Sequence, residues 1–166
     1  DKPLRAVERR STPVPAQRPH APRMRTALLM NPNSGDGSQR LDELVERVAA
    51  ALGGPVDPHP SDSAEAMLAA AEQVGRAGYE RIIVAGGDGS VHLCVNGLAR
   101  ADALGRVLLG ILPAGTGNDL ATFLGMPREL DGALAALAAA RPIDLDLGEM
   151  NGLRFANASC GGYFGE

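Results

Sequence analysis

Three short stretches of the chain hold residues suited to phosphate chemistry. They are Asn31-Pro32-Asn33-Ser34-Gly35-Asp36-Gly37, Gly86-Gly87-Asp88-Gly89-Ser90 and Pro113-Ala114-Gly115-Thr116-Gly117-Asn118-Asp119. Glycines let a backbone approach a ligand closely, and free N–H groups at a helix start favour an anion. Asp, Asn, Ser and Thr add hydrogen bonds and metal ligands. An aspartate beside bare phosphate would repel it; with Mg²⁺ between them it becomes a ligand, direct or through water. The combination points to a Mg-nucleotide. Each turn alone is compatible with an ordinary loop and helix cap, but three glycines around one acid exceed what a cap needs.

The elements that must position these turns are legible from periodicity. Ala27 to Met30 is a short apolar run ending at Asn31-Pro32, which predicts a buried strand meeting a turn. Leu41, Leu44, Val45, Val48, Ala49 and Leu52 mark one helix face, stopped by Gly53-Gly54. A short strand is expected around Val56 to His59, then a helix from Ala64 to Val74 capped by Ser63. Ile82 to Ala85 is continuous and β-branched, as interior parallel strands are. A helix through Val91 to Leu98 follows, then a strand at Val107–Leu112 and helices near Leu120 and over Leu130–Ala140. Strand–helix alternation implies an α/β domain, a parallel sheet covered on both faces. Ligands of such sheets sit at the carboxyl ends of the strands, where all three turns fall.

Beyond Arg141-Pro142 the pattern changes. Ile143 to Leu147 alternates apolar and acidic residues, and Leu153 to Ser159 is strand-like, so half-buried antiparallel strands opening a second, β-rich unit are expected over 142–166. Residues 1–23 hold five prolines and no apolar periodicity and read as a disordered tail. Met24 is the first methionine, and translation is expected to start there. The nucleotide-binding α/β domain is therefore assigned to 24–141.

Composition narrows the function. Aromatics are 3 % with no Trp, which removes stacking on nucleic-acid bases as a binding mode. Residues 1–25 hold seven basic side chains against two acidic ones, so the rest carries −9 within an overall −4, a poor surface for nucleic acid. Lys2 is the only lysine, which excludes a Walker-type P-loop and a protein-kinase site. A phosphate site must use backbone N–H groups, arginine or a metal ion. Cys94, Cys160, His20, His59 and His92 show no zinc spacing and read as ordinary thiols and histidines in a reducing, cytoplasmic setting. No apolar run approaches the roughly 18 residues that span a bilayer.

Gly86–Ser90 resembles the GGDG[ST] signature shared by diacylglycerol, sphingosine and ceramide kinases, NAD kinases and phosphofructokinases. Asn31–Gly35 is similar to the NPxSG turn of the lipid-kinase branch, and Leu112–Leu120 with Gly125-Met126-Pro127 is similar to its P-x-G-T-x-N-D turn and following helix. Ile143–Gly148 and Phe155–Gly162 resemble that family's crossing into a β-sandwich domain. The resemblance, to the catalytic domain of diacylglycerol kinases, covers about residues 25–166.

It implies a phosphofructokinase-like three-layer domain followed by the first strands of an incomplete β-sandwich. The implied activity is transfer of the γ-phosphoryl group of ATP, with Mg²⁺, to a lipid hydroxyl at the membrane surface, by a cytoplasmic, peripherally associated enzyme. Asn31, Pro32, Asn33, Ser34 and Gly35 would line the nucleotide site, with Ser61 where the family often has threonine. Gly86, Gly87, Gly89 and Ser90 would hold phosphates, and Asp88 would engage Mg²⁺. Thr116 would touch the phosphates, with Asn118 and Asp119 completing the site and Asp119 a second metal candidate. His92 and Leu93 stand where bacterial members commonly read Asn-Glu, which removes one carboxylate; His92 either replaces a hydrogen-bonding group or is a surface histidine. The family's general base lies in the C-terminal domain, so none is named, and this fragment alone is not expected to turn over. NAD kinase, phosphofructokinase-type kinase and a non-catalytic nucleotide-sensing module remain alternatives, and a homodimer is left open.

Overall fold

The computed structural model describes residues 24–32 and 40–156. Strand β1 (Thr26–Met30) leads to helix α1 (Leu41–Leu52), β2 (Val56–Pro60), α2 (Ala64–Arg76), β3 (Arg81–Gly86) and α3 (Asp88–Arg100). A short 3₁₀ turn (Leu104–Arg106), β4 (Leu108–Pro113), α4 (Asp119–Phe123) and α5 (Leu130–Ala139) follow, then β5 (Gly148–Met150) and β6 (Leu153–Phe155). The first four strands form one parallel sheet in the order β2-β1-β3-β4.

The two continuous apolar runs take the two interior places, because both faces of an interior parallel strand are covered. Alternate residues then divide between two cores. Ala27, Leu29, Ile82, Val84 and Ile111 face α2, α3 and α4, where Met67, Ala71, Cys94, Leu98 and Leu120 are buried. Leu28, Met30, Ile83, Ala85 and Leu112 face α1 and α5, against Leu44, Val48, Ala133 and Leu134. The result is the expected three layers. Each fully buried aliphatic side chain contributes roughly 1.5–3 kcal/mol, which is how a core nearly free of aromatics holds together. Burial pushes the Cys94 thiol up to about 12, so it is an inert core residue.

Local signals account for the helix ends. Ser63 Oγ accepts the Ala66 N–H at 3.1 Å, the expected cap of α2. Gly53 ends α1 with φ 69°, where a side chain would be strained. Helices α2 and α3 approach closely because position 97 lacks a side chain: a Cβ there would lie 2.6 Å from Leu68 O and 2.9 Å from Glu72 N.

Among the described residues β2 occupies an edge of the sheet, and its prolines suit that place. The Ser61 N–H donates to Met30 O at 2.8 Å, so positions of the same parity (Asp57, His59) turn their backbone groups to β1. Pro58 and Pro60 turn theirs outward, where a missing N–H costs no ladder bond and denies one to an intruding strand.

Two expectations are corrected. α3 begins at Asp88, not near Val91, so Asp88, Gly89 and Ser90 form its first turn and the connection from β3 is Gly87 alone. Ile143–Leu147 forms no strand; Ile143 is 70 % exposed and Leu145 39 %. The antiparallel pair is β5 with β6 instead, joined by Asn151 (φ 53°) and Gly152 (φ 79°). Positive φ at both central residues is the two-residue turn that Asn-Gly favours, and it fixes Met150 opposite Leu153. The tail reading, part of the first turn (33–39) and residues 157–166 lie outside the described residues.

Candidate functional site

The chain leaves β1 to one side for β2 and to the other for β3, so the sheet order reverses between β1 and β3. A crevice opens outside the carboxyl ends at such a point. Asn31 and Pro32 follow β1 there, and Gly87 and Asp88 follow β3. Ser61, buried at the end of β2, is held beside β1 by its bond to Met30 O. Asn33, Ser34 and Gly35 lie outside the described residues.

The second and third turns touch through their backbones. A Cβ on Gly87 would lie 3.0 Å from Gly115 Cα, and one on Gly115 would strike Gly87 Cα in turn. The Ala114 N–H donates to Gly86 O at 3.1 Å, adding a rung just past the sheet. These two glycines therefore serve turn-to-turn packing. Gly89 differs: a Cβ there meets nothing within 4 Å, although it sits in the first turn of α3, where N–H groups lack helical partners. Ser90 folds back onto Gly86.

Asp88 ties the turns together. Its Oδ2 accepts the Asp119 N–H at 3.0 Å and its Oδ1 the Leu120 N–H at 3.1 Å, so it caps the N-terminus of α4. Burial works against its charge, but the backbone amides of Asp119, Leu120, Asn118 and Asp88 together outweigh it and hold the carboxyl below the usual aspartate range. The group is thus ionised. Gly117 lies against both acids: its Cβ position is 3.0 Å from Asp88 Oδ2 and 3.6 Å from Asp119 Oδ1.

Asn118 is buried and engaged within its own turn. Its Oδ1 accepts the Gly115 N–H at 2.9 Å and its Nδ2 donates to Gly115 O at 2.6 Å, in a left-handed backbone (φ 58°) that asparagine tolerates. Thr116 and Asp119 are exposed at the rim. His92 is exposed on α3.

One side chain and one cleft were not anticipated. Arg128 donates to Gly117 O at 3.1 Å, which brings an arginine to the third turn; the absence of folded-domain lysine was the signal for it. A cleft of about 180 Å³ lies beside that turn, between Ala85, Leu112 to Ala114 and the start of α5 with Arg128 and Glu129. No predicted site residue lines it, and it is smaller than the roughly 300–1,000 Å³ of ordinary ligand sites. The phosphate-suited groups are those of the turns.

Fold and turns define an α/β domain whose two glycine turns meet at the switch point of its parallel sheet. The sequence profile of the diacylglycerol kinase catalytic domain matches residues 25–150, and the chain belongs to that family. It is 37 % identical over 143 residues to a diacylglycerol kinase of Bacillus subtilis (strain 168), covering 83 % of this chain and 46 % of that one. A probable YegS-like lipid kinase of Pseudomonas aeruginosa is 45 % identical over 93 residues, 55 % of this chain and 30 % of that protein. A crystal structure of a diacylglycerol kinase from Bacillus anthracis str. Sterne superposes with a TM-score of 0.68 at 27 % identity, covering 80 % of this chain and 45 % of that one. The chain spans about half the length of the first of these curated relatives.

Proposed function

We propose that the protein to which this chain belongs is an ATP-dependent lipid kinase that transfers the γ-phosphoryl group of Mg-ATP to the hydroxyl of a diacylglycerol-like lipid. The observation that carries this reading is the abutment of the two glycine turns, with an ionised Asp88 between them and open space over Gly89. Family membership and the names of the relatives point the same way.

In this reading the N–H groups at the start of α3 receive phosphate oxygens across Gly89, and Gly86, Gly87 and Ser90 shape that turn. Thr116 on the third turn and Arg128 bonded to that turn approach from one side, Asn31, Pro32 and Ser61 stand on the β1 side, and Asn33, Ser34 and Gly35 are assigned to the nucleotide. Asn118 keeps the third turn in register. Among the described residues no group of three or more His, Cys, Asp or Glu could cage a metal. Mg²⁺ keeps several waters and takes one or two carboxylates plus substrate phosphates. Asp88 would hold it directly or through water, with Asp119 beside it. When bound, the ion neutralises charge developing on the transferred phosphoryl group. The remaining catalysis is positioning.

The general base and most of the lipid site are assigned to a C-terminal β-sandwich that 142–166 begins, the α/β domain being 24–141. Among the described residues no helix is long and apolar enough to cross a membrane, and lipid would be met at the bilayer surface.

The test uses the complete natural gene product with Mg²⁺ and γ-labelled ATP. It is offered diacylglycerol, ceramide, sphingoid base, undecaprenol and phosphatidylglycerol in mixed micelles, with NAD⁺ and fructose 6-phosphate alongside. Label in a lipid is expected. Label only in NAD⁺ or the sugar moves the protein to a sister family, and no transfer favours a nucleotide-sensing module.

A further inference from the structure

Asn96 lies on α3, two turns beyond the phosphate turn, and is 5 % exposed. Its Oδ1 accepts the Arg154 N–H at 2.9 Å, and its Nδ2 donates to Arg154 O at 2.9 Å and to His92 O at 2.9 Å. The carboxamide thus offers Arg154 the acceptor and donor that a neighbouring strand would offer. Within the hairpin Arg154 stands opposite Glu149, and their side chains form an ion pair. The backbone groups of Arg154 point away from that partner, to the outer edge of β6. Such groups need partners once water is excluded.

A two-stranded hairpin is marginal by itself. This one is fastened to a helix that is itself fixed, since Gly97, the next residue, forms the close approach to α2. From Asp88 to Asn96 is about 12 Å along the helix axis at 1.5 Å per residue. One rigid element therefore carries the Asp88 turn at its start and the hairpin on its flank.

We propose that Asn96 is a positioning residue: its side chain pins the β5–β6 hairpin to α3 and so sets the unit continuing from the hairpin in register with the turn at Asp88. This rests on the lipid-kinase reading for its catalytic consequence. It does not rest on it for the latch itself.

The experiment uses the complete natural protein and three variants. Asn96→Ala removes the latch from the helix side. Arg154→Pro removes the same N–H from the hairpin side without touching the α3 core. Arg154→Ala removes the side chain and its ion pair but keeps the backbone. Readouts are amide exchange over 148–156, the melting temperature, and kcat with KM for ATP against the best lipid. Asn96→Ala and Arg154→Pro are expected to speed exchange of the hairpin amides at least tenfold and to lower kcat about tenfold. KM for ATP should stay within about twofold, and Arg154→Ala should match the wild type. Unchanged hairpin exchange in both latch variants overturns the inference. So does an Asn96→Ala protein that melts or loses activity while Arg154→Pro behaves as wild type, since Asn96 would then be a core residue only. A wild-type protein that phosphorylates no lipid sinks the kinase reading and with it the catalytic role, whereas the exchange arm still decides the latch.

Discussion

Two glycines in neighbouring turns have opposite reasons to be glycine. At Gly115 any side chain runs into the Gly87 backbone, so Gly115→Ala must part the turns; overpacking of this kind costs about 1–3 kcal/mol and should lower the urea midpoint accordingly. At Gly89 a methyl meets nothing, and in a helix alanine is favoured over glycine by roughly 0.5–1 kcal/mol. Gly89→Ala is therefore expected to be at least as stable as the wild type while losing about tenfold or more in kcat/KM for ATP. A fully active Gly89→Ala protein would remove the phosphate from its assigned place. Asp88 caps α4 and, in the proposed function, engages Mg²⁺, so Asp88→Asn should show two effects. One is activity below about a tenth of the wild type. The other is loss of about 1 kcal/mol at neutral pH, as one acceptor facing an N–H becomes a donor. Because the folded carboxyl titrates below its ordinary value of 3.8, the unfolded state binds more protons as pH falls. Its contribution is complete above that value and disappears as pH drops through the lower folded one. Denaturation at pH 5 and pH 3 should therefore show a larger acid loss in the wild type than in Asp88→Asn. The sequence named these residues by type and spacing; it was silent on which glycine meets backbone and which meets solvent, because that depends on how two turns 28 residues apart come together.

At the scale of elements, strands read as continuous apolar runs were correct wherever both faces are covered, as at Ile82 to Ala85. The alternation at Ile143 to Leu147 was misleading because alternation reports a half-buried strand only if a partner exists. The Asn151-Gly152 pair carries the stronger signal. The start of α3 is hard to read because Asp88, Gly89 and Ser90 are weak helix formers, and the tertiary bonds that Asp88 accepts override that. The prolines of β2 were invisible in role until the register assigned them to the outward side. Pro58→Thr should accordingly change the melting temperature little and promote self-association at high concentration, seen as a concentration-dependent sedimentation coefficient. An unchanged, monodisperse Pro58→Thr protein would mean that the edge is guarded by something else.

At the scale of the whole molecule, the glycine turns belong to no single local unit. They exist only where β1, β3 and β4 lie side by side. A ligand that binds this assembled state and not the unfolded chain raises the stability of the entire domain, by about 2.7 kcal/mol at a hundredfold excess over its Kd. Mg-ATP added to the complete protein should raise its melting temperature in a saturable way, and Gly89→Ala should blunt that rise without lowering the starting value. Absence of any shift at millimolar Mg-ATP would contradict the nucleotide reading.

The parallel order of the sheet bears on how the protein is made. No two neighbouring strands can be joined by a tight turn, and β1 must wait for β3, more than fifty residues later, before it has both its partners. Loops of that length close slowly, and chains dominated by distant pairings fold on the slow side for their size. During synthesis the emerging chain leaves one edge of the largely apolar β1 unpaired until β3 has left the ribosome. The proline-guarded edge of β2, already beside it in sequence, is then the one surface of the growing sheet that a second nascent chain cannot extend.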